Sequence, residues 1–371
     1  MNLHISKSGT LRKRFALVAL AGTVAALPLV ISAGSDAGAS SNPGFALYAA
    51  EGYDAASVKA FNATHPGFTV TLNDNSTGPL LEQIQAEGNN PKWGVLWADG
   101  ASAFAQLDDE GYLVKNSVPK GVDFNSLGKE NVPADGSFTP TGLTATGALC
   151  YDSAQVSASQ LPSTWAQLES SKYKGMLGMN DPSQSGPTFP LIAGVMNELG
   201  HYKKGSTASS VAAGEVFFKQ LYTNGVVVNS TNGPTISAME SDSIQMATIQ
   251  SSACYGAELT SFPTMRVKYL NFSVALPSVI GIDAKASPIV RADAQKFVNW
   301  VMSPAGQHVM QTGDPTGDSL FWPVINGEKP ANSIIPSLAS THAISIDPYV
   351  WGPLETKINA WFDTNIANDG L

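Results

Sequence analysis

Cysteine and charge are both scarce in this chain of 371 residues. It contains two cysteines, and 14% of its residues are charged, with 30 acidic against 21 basic side chains. Two cysteines without suitably spaced histidines argue against a structural zinc site. The acidic balance also makes nucleic acid and anionic membrane surfaces unfavourable partners, because both repel a negatively charged protein.

Outside the N-terminus, no segment is apolar enough to span a bilayer. Basic residues, among them Lys7 and Arg12, precede the apolar residues 15–33, and small residues follow up to Ala39. This layout is typical of a secretory signal peptide, so we predict a signal peptide over residues 1–39 and a periplasmic or secreted protein. An uncleaved membrane anchor is the alternative, because the apolar run is long.

The two cysteines, Cys150 and Cys254, are free to pair in an exported protein. A bridge between them would close a loop of about 100 residues and restrict the unfolded chain. The alternative is two buried thiols that pack as small hydrophobic side chains.

Strand-like and helical segments alternate from Phe45 onward, which predicts an α/β protein with mostly parallel sheets flanked by helices. After the signal peptide the chain is longer than one compact core normally accommodates, so two lobes are expected. Ligands of such sheets bind outside the carboxyl ends of the strands. We therefore expect residues 49–53, 76–78 and 98–100, which lie at the ends of predicted strands and include Glu51, Tyr53 and Asp99, to border one crevice.

Two loops rich in serine and glycine each precede an apolar helical segment, at residues 76–78 and 180–188. Loops of this kind place hydroxyls and backbone N–H groups at the positive end of a helix, where they can hold an anion. Simple helix capping is the alternative. The candidate anion ligands are Ser76, Thr77, Gly78, Ser183, Ser185, Gly186 and Thr188.

Five segments then follow one another in a recognisable order: residues 76–78, 95–99 (VLWAD), 181–186 (DPSQSG), 276–278 (LPS) and 294–307 (AQKFVNWVMSPAGQ). Together they resemble the periplasmic solute-binding proteins of ABC importers, in the branch that contains ferric-iron, thiamine and 2-aminoethylphosphonate binders. The resemblance implies a type 2 periplasmic binding protein fold with crossing hinge strands. It places residues 45–138 and 275–371 in one lobe and residues 139–274 in the other. It also implies a monomer without a cofactor that delivers a small solute to an ABC permease.

The resemblance implies that the ferric-iron site is broken. Where the ferric-binding members have two adjacent tyrosines, the matching segment has Ser252 and Ala253. Asp99 falls at the family's glutamate, but the first loop has no histidine. One carboxylate and one tyrosine are too few donors for a hard cation, so no metal site is predicted.

The anion half of the family site is retained in this sequence. Ser185 and Gly186 match the phosphate loop, and Asn232 matches one of its asparagines. For a zwitterion such as 2-aminoethylphosphonate, Asp99 and Glu51 would face the ammonium group, while Tyr53 and Tyr255 line the aliphatic middle. Other phosphate- or carboxylate-bearing solutes fit the same logic.

The chain also lacks the motifs of an enzyme built on a serine nucleophile. There is no G-x-S-x-G elbow, and the one S-x-x-K, at residues 171–174, lacks its companion elements. We therefore predict a binding protein rather than an enzyme. Three alternatives stay open: a ferric-iron or other metal binder, an extracellular enzyme on the same bilobal fold, and a sensory or adhesive module.

Overall fold

A computed structural model describes residues 44–367, which fold around two β-sheets. The predicted signal peptide over residues 1–39, and the alternative membrane anchor, lie outside the described residues. Among residues 44–367, no helix combines the length and apolar character needed to cross a membrane.

The elements follow one another in mixed order along the chain. The strands are β1 (Phe45–Ala49), β2 (Val70–Asp74), β3 (Val95–Asp99), β4 (Phe138–Thr146), β5 (Ala148–Asp152), β6 (Leu177–Asn180), β7 (Val227–Asn229), β8 (Met246–Ile249), β9 (Met265–Lys268), β10 (Ser273–Ile282) and β11 (Ala343–Ile344). The α-helices are α1 (Asp54–Asn62), α2 (Thr77–Glu87), α3 (Ala101–Asp109), α4 (Ser126–Asn131), α5 (Thr188–Leu199), α6 (Thr207–Thr223), α7 (Asn232–Glu240), α8 (Ser251–Leu259), α9 (Pro288–Val301), α10 (Pro304–Gly313), α11 (Pro348–Trp351) and α12 (Glu355–Phe362).

Both sheets combine parallel and antiparallel pairs. In the first sheet the order is β2-β1-β3-β10-β11, and β4 also pairs with β10. There β1 runs parallel to β2 and β3, whereas β10 runs antiparallel to β3 and β4. In the second sheet the order is β7-β6-β8-β5-β9. The predicted α/β class, with mixed sheets flanked by helices, is confirmed.

The long strands β4 and β10 lie beside the passage between the sheets. They pair from Phe138 with Gly281 to Thr146 with Val274. Gly147 separates β4 from β5 and has a φ of +77°, a backbone conformation that glycine adopts without strain. The chain therefore leaves the first sheet and enters the second within a single residue.

The C-terminal segment packs on the core of the second sheet. Ile358 and Phe362 of α12 belong to the same buried cluster as Phe218 of α6, and the Phe218 and Phe362 rings lie 5.7 Å apart. The sequence expectation placed residues 275–371 with the first lobe. The amphipathic pattern of α12 predicts that the helix has a buried face, but it does not say which sheet that face covers.

A disulfide joins Cys150 of β5 to Cys254 of α8, with the two Cα atoms 6.0 Å apart. Of the two alternatives left open by the sequence, the structure has the bridge. It fastens the first half of α8 to the second sheet.

Candidate functional site

Two of the predicted carboxylates lie buried at the carboxyl ends of β1 and β3. Glu51 is 3% exposed and Asp99 is 6% exposed. The Ser278 hydroxyl of β10 donates a hydrogen bond to Glu51 Oε1, and its oxygen lies 3.0 Å from the Tyr53 hydroxyl. The parallel strands β1 and β3 are neighbours, so their ends bring these side chains to one edge of the sheet.

A third carboxylate, Asp318, joins them from the segment after α10. Its Oδ2 accepts a hydrogen bond from the Gly52 backbone N–H at 2.8 Å. Its Oδ1 accepts one from the Ser252 hydroxyl at 3.3 Å, and Ser252 lies in the first turn of α8. We call Glu51, Asp99 and Asp318 the carboxylate face.

Burial raises the pKa of each member of the carboxylate face. For Glu51, the negative charges of Asp99 and Asp318 raise the pKa further, and for Asp99 the charge of Asp318 does so. Within residues 44–367, none of the three forms an ion pair with lysine or arginine. Three buried carboxyl groups without a basic partner favour the uptake of a proton or of another cation.

The acidic character continues at the edge of this face. Asp54, Asp74 and Glu51 all line a cavity of about 450 Å³. Burial, followed by the negative charge of Asp74, raises the pKa of Asp54 to about 7. A cation that approaches the carboxylate face from this cavity meets attractive charge throughout.

A chain of hydrogen bonds from the second sheet meets the carboxylate face at Asp99. The Thr235 hydroxyl donates to Asn180 Oδ1 at 2.6 Å, and Asn180 Nδ2 donates to Asn232 Oδ1 at 2.7 Å. Asn232 Nδ2 donates to Gln250 Oε1 at 3.3 Å, and Gln250 Nε2 donates to Asp99 Oδ2 at 2.8 Å. Each donor points toward the carboxylate, so successive bonds polarise one another in one direction. We call Asn180, Asn232 and Gln250 the amide face, and the space where the two faces meet the cleft.

Two residues of the amide face lie at the N-termini of helices. Asn232 is the first residue of α7, and Gln250 immediately precedes α8. The first turn of a helix carries unsatisfied N–H groups and the positive end of the helix dipole. The amide face therefore favours negative charge, whereas the carboxylate face favours positive charge.

The two loops rich in serine and glycine face each other, but they are packed together. A Cβ atom on Gly78 would lie 1.9 Å from the Ser183 carbonyl oxygen, and one on Gly186 would lie 2.5 Å from Thr77 Oγ1. Ser183 is held in place by Asp181, whose Oδ1 accepts from its backbone N–H at 2.8 Å. Atoms of the loops fill the space between them, so an anion does not fit between Gly78 and Ser183 without their separation.

The remaining predicted residues lie beside the amide face, in the packed loops or in the core. Ser185 accepts from Asn180 Nδ2 at 3.3 Å and so borders the amide face, and Thr188 is buried at the start of α5. Ser76 precedes α2 in the packed loops. Tyr255, by contrast, is 3% exposed, belongs to the core of the first sheet, and has its hydroxyl 2.7 Å from that of Tyr269. The Tyr53 ring lies in the same core, but its hydroxyl is 3.0 Å from Ser278 Oγ and so adjoins the carboxylate face.

Sequence reasoning missed three residues of the cleft. Asn180 ends β6 and Gln250 directly follows β8, and a position at the carboxyl end of a strand was a usable signal. Asp318 had no such signal, because it comes from an irregular segment that tertiary packing brings to Gly52.

The described residues offer no ready metal site. No group of three or more histidine, cysteine, aspartate or glutamate side chains within residues 44–367 is arranged to hold a metal ion. The carboxylates of the cleft instead have serine hydroxyls, an amide and a backbone N–H as hydrogen-bond partners.

Known structures share this fold at low sequence identity. Iron-bound HitA from Pseudomonas aeruginosa is 18% identical, with a TM-score of 0.70 over 85% of this chain and 98% of HitA. AfuA from Actinobacillus pleuropneumoniae, with fructose-6-phosphate bound, is 16% identical, with a TM-score of 0.72 over 87% of this chain and 98% of AfuA. A periplasmic thiamin binding protein is 17% identical, with a TM-score of 0.67 over 88% of this chain and 97% of its own. These likenesses confirm the bilobal type 2 periplasmic binding protein fold.

The family assignment comes from the sequence. No curated protein sequence matches the chain significantly. Residues 56–324, which are well over half of the chain, match the family described as "Bacterial extracellular solute-binding protein". This span contains the carboxylate face except Glu51, together with the whole amide face. The resemblance to solute-binding proteins seen in the sequence is confirmed, and the chain belongs to the bacterial extracellular solute-binding protein family.

Proposed function

We propose that this solute-binding component of an ABC importer captures a small zwitterionic solute, with the ammonium group on the carboxylate face and the anionic group on the amide face. The observation that carries the proposal is the direct contact of two oppositely polarised faces, from Gln250 Nε2 to Asp99 Oδ2 at 2.8 Å. A simple anion would leave Glu51, Asp99 and Asp318 without a basic partner.

The ammonium end is supported by the Asp99 carboxylate. It accepts one N–H from Gln250, and burial followed by the charge of Asp318 raises its pKa. An ammonium group in place of the Gln250 amide would supply a full positive charge and several donors. Hydrogen bonds between charged groups are stronger than neutral ones, so the exchange favours the solute.

The anionic end is supported by the start of α7 and α8. Asn232 and Ser252 lie in their first turns, and Ser185 lies beside Asn180. Phosphonate, phosphate or carboxylate oxygens would accept from these groups and from the backbone N–H groups of the first turns. 2-Aminoethylphosphonate carries both charges on a two-carbon spacer and is our preferred candidate.

The proposal includes how the protein moves and where it works. We assign residues 45–138 and the chain from residue 275 up to the start of α11 to one lobe. Residues 139–274 with the C-terminal helices that pack on them form the other. Solute binding would favour the closed arrangement, because only closure brings both faces onto one ligand. The protein would act as a monomer after export by its signal peptide.

Isothermal titration calorimetry of the purified protein tests the proposal with three matched compounds: 2-aminoethylphosphonate, ethylphosphonate and ethylammonium. We expect the zwitterion to bind at least about tenfold more tightly than either half, because each half loses one set of charged hydrogen bonds. Equal affinity for ethylphosphonate would overturn the ammonium assignment. Equal affinity for ethylammonium would overturn the anion assignment.

Alternative solutes and activities are distinguished in the same preparation. Binding of ferric iron, thiamine or fructose-6-phosphate in preference to every zwitterion tested would overturn the proposal. Enzymatic turnover of a phosphonate or a phosphate ester would favour the enzyme alternative, and ³¹P NMR of the titrated sample detects it.

A further inference from the structure

A second cavity, of about 470 Å³, lies on the outer side of the packed loops. Its walls come from α2, α3, the loop over residues 182–186, and α12. Its volume is within the range of roughly 300 to 1,000 Å³ that small-molecule sites occupy. The cavity shares no lining residue with the carboxylate face or the amide face.

Glu355, the first residue of α12, presents an unsatisfied group to this cavity. Its Oε2 atom is buried and has no hydrogen-bond partner among the described residues, and neither has Oδ1 of Asn359 one turn later. Burial raises the pKa of Glu355 to about 8. Both oxygens are acceptors without a donor, which is a costly state for buried polar atoms.

The other lining groups fit a cation with an apolar body. Glu82 of α2 and Asp363 after α12 add two further acidic side chains, and no lysine or arginine is among the described residues that line the cavity. Leu81 and Leu107 supply an apolar wall opposite. A small organic ammonium ion would satisfy Glu355 with its head group and cover the leucines with its carbon chain.

We propose that this cavity is a second binding site, for a small organic cation with a short alkyl chain. Gly78 and Ser183, which contact each other across the packed loops, both line it. A ligand in the cavity therefore touches both loops at once and stabilises their packed arrangement. By linkage, it would also strengthen binding in the cleft if the cleft ligand requires the same arrangement. The site itself does not depend on which solute the cleft binds.

Calorimetric titration of the full chain with n-butylammonium chloride, with n-butanol as the neutral match, tests the site. We expect binding of butylammonium and at least about tenfold weaker binding of butanol, because only the cation pairs with the carboxylate. The variant Glu355→Gln should lose about tenfold in affinity for butylammonium. The exposed control Glu328→Gln should retain it.

Several outcomes would overturn this proposal. They are the absence of butylammonium binding to the unaltered protein, equal binding of butanol, and unchanged binding by Glu355→Gln.

The pH dependence of the unaltered protein is a readout that needs no variant. Glu355 must be ionised to attract the cation, so butylammonium affinity should rise as the pH increases through about 8. An alkylammonium ion keeps its proton over this range, since its pKa is close to ~10.4 as in lysine. Glu82 and Asp363 are the other titratable groups that line the cavity. The range from about pH 6 to pH 9 extends roughly one to two units around the Glu355 pKa. A butylammonium affinity that stays constant over this range would contradict the assignment to Glu355.

Discussion

The two faces of the cleft have opposite electrostatic character. The carboxylate face collects three acidic side chains around Ser278 and Gly52, and burial raises the pKa of each. The amide face is neutral, and its side chains satisfy one another in a directed chain from Thr235 to Gln250. One face therefore concentrates like charge that burial disfavours, whereas the other satisfies its own hydrogen bonds. If the proposed zwitterion binds here, most of the affinity would come from the carboxylate face and orientation from the amide face.

This contrast has a consequence for the pH dependence of stability. A carboxyl group whose pKa is raised by folding binds more protons in the folded state than in the unfolded state. The free energy of unfolding then falls as the pH rises above the ordinary carboxyl pKa and through the raised value. Glu51, Asp99 and Asp318 all act in this direction, so the ligand-free cleft contributes less stability at neutral pH than in mild acid.

The largest expected effect concerns the covalent support of the amide face. Replacing both cysteines, as Cys150→Ser with Cys254→Ser, should lower the free energy of unfolding by about 4 kcal/mol, because the bridge spans 104 residues. Urea unfolding measures the change. Reductant should lower the midpoint of the unaltered protein and leave that of the double variant unchanged. Equal midpoints for the two proteins under oxidising conditions would show that the bridge does not support this face.

The second prediction concerns Asp99 on the carboxylate face. Asp99→Asn should weaken binding of 2-aminoethylphosphonate by about 1.5 to 3 kcal/mol, a factor of roughly 10 to 150, because a charged acceptor is lost. The same change should also raise the thermal midpoint of the protein without added solute, measured at about pH 8, above the ordinary carboxyl range. The reason is that the change removes the repulsion between Asp99 and Asp318.

The exposed Asp109→Asn is the matched control for both measurements and should change neither. If Asp99→Asn kept its affinity and lost stability, Asp99 would be a structural group, and the contrast between the two faces would not hold.

The smallest expected effect compares two hydroxyls of the serine- and glycine-rich loops. Ser185→Ala should weaken solute binding by about 1 kcal/mol, because Asn180 loses one acceptor and the amide face loses order. Thr77→Ala should cost less, since the Thr77 hydroxyl lies against Gly186 in the packed loops. Calorimetry with the same solute ranks the two variants. A larger loss for Thr77→Ala would mean that both loops grip the solute together.

Local patterns in the sequence predicted much of the fold. Strand-like and helical segments alternate in the sequence from Phe45 onward, and β1, α1, β2, α2, β3 and α3 alternate in the structure in the same way. Local apolar periodicity is enough to predict such elements. The strand β4, which begins at Phe138, is buried throughout. Its threonine, proline and glycine residues give no clear strand pattern in the sequence. The strand is stabilised by its pairing with β10.

For the candidate site, the rule for parallel sheets brings Glu51 and Asp99 to one edge, because both lie at the carboxyl ends of strands. Only the structure shows that the register of α8 turns the Tyr255 ring toward Tyr269. Asp318 was invisible in the sequence, since no local pattern ties residue 318 to Gly52.

By itself the sequence determined the α/β class, the family, the scarcity of positive charge and the candidate helix N-termini, because each depends on composition or on residues close together in the chain. Only the tertiary structure decided that the two loops pack against each other, that three carboxylates share one buried face, and that α12 covers the second sheet. Those features depend on contacts between residues far apart along the chain, such as the 266 positions that separate Gly52 from Asp318. Contacts of that kind are selected by packing and burial over the whole molecule, which no local pattern contains.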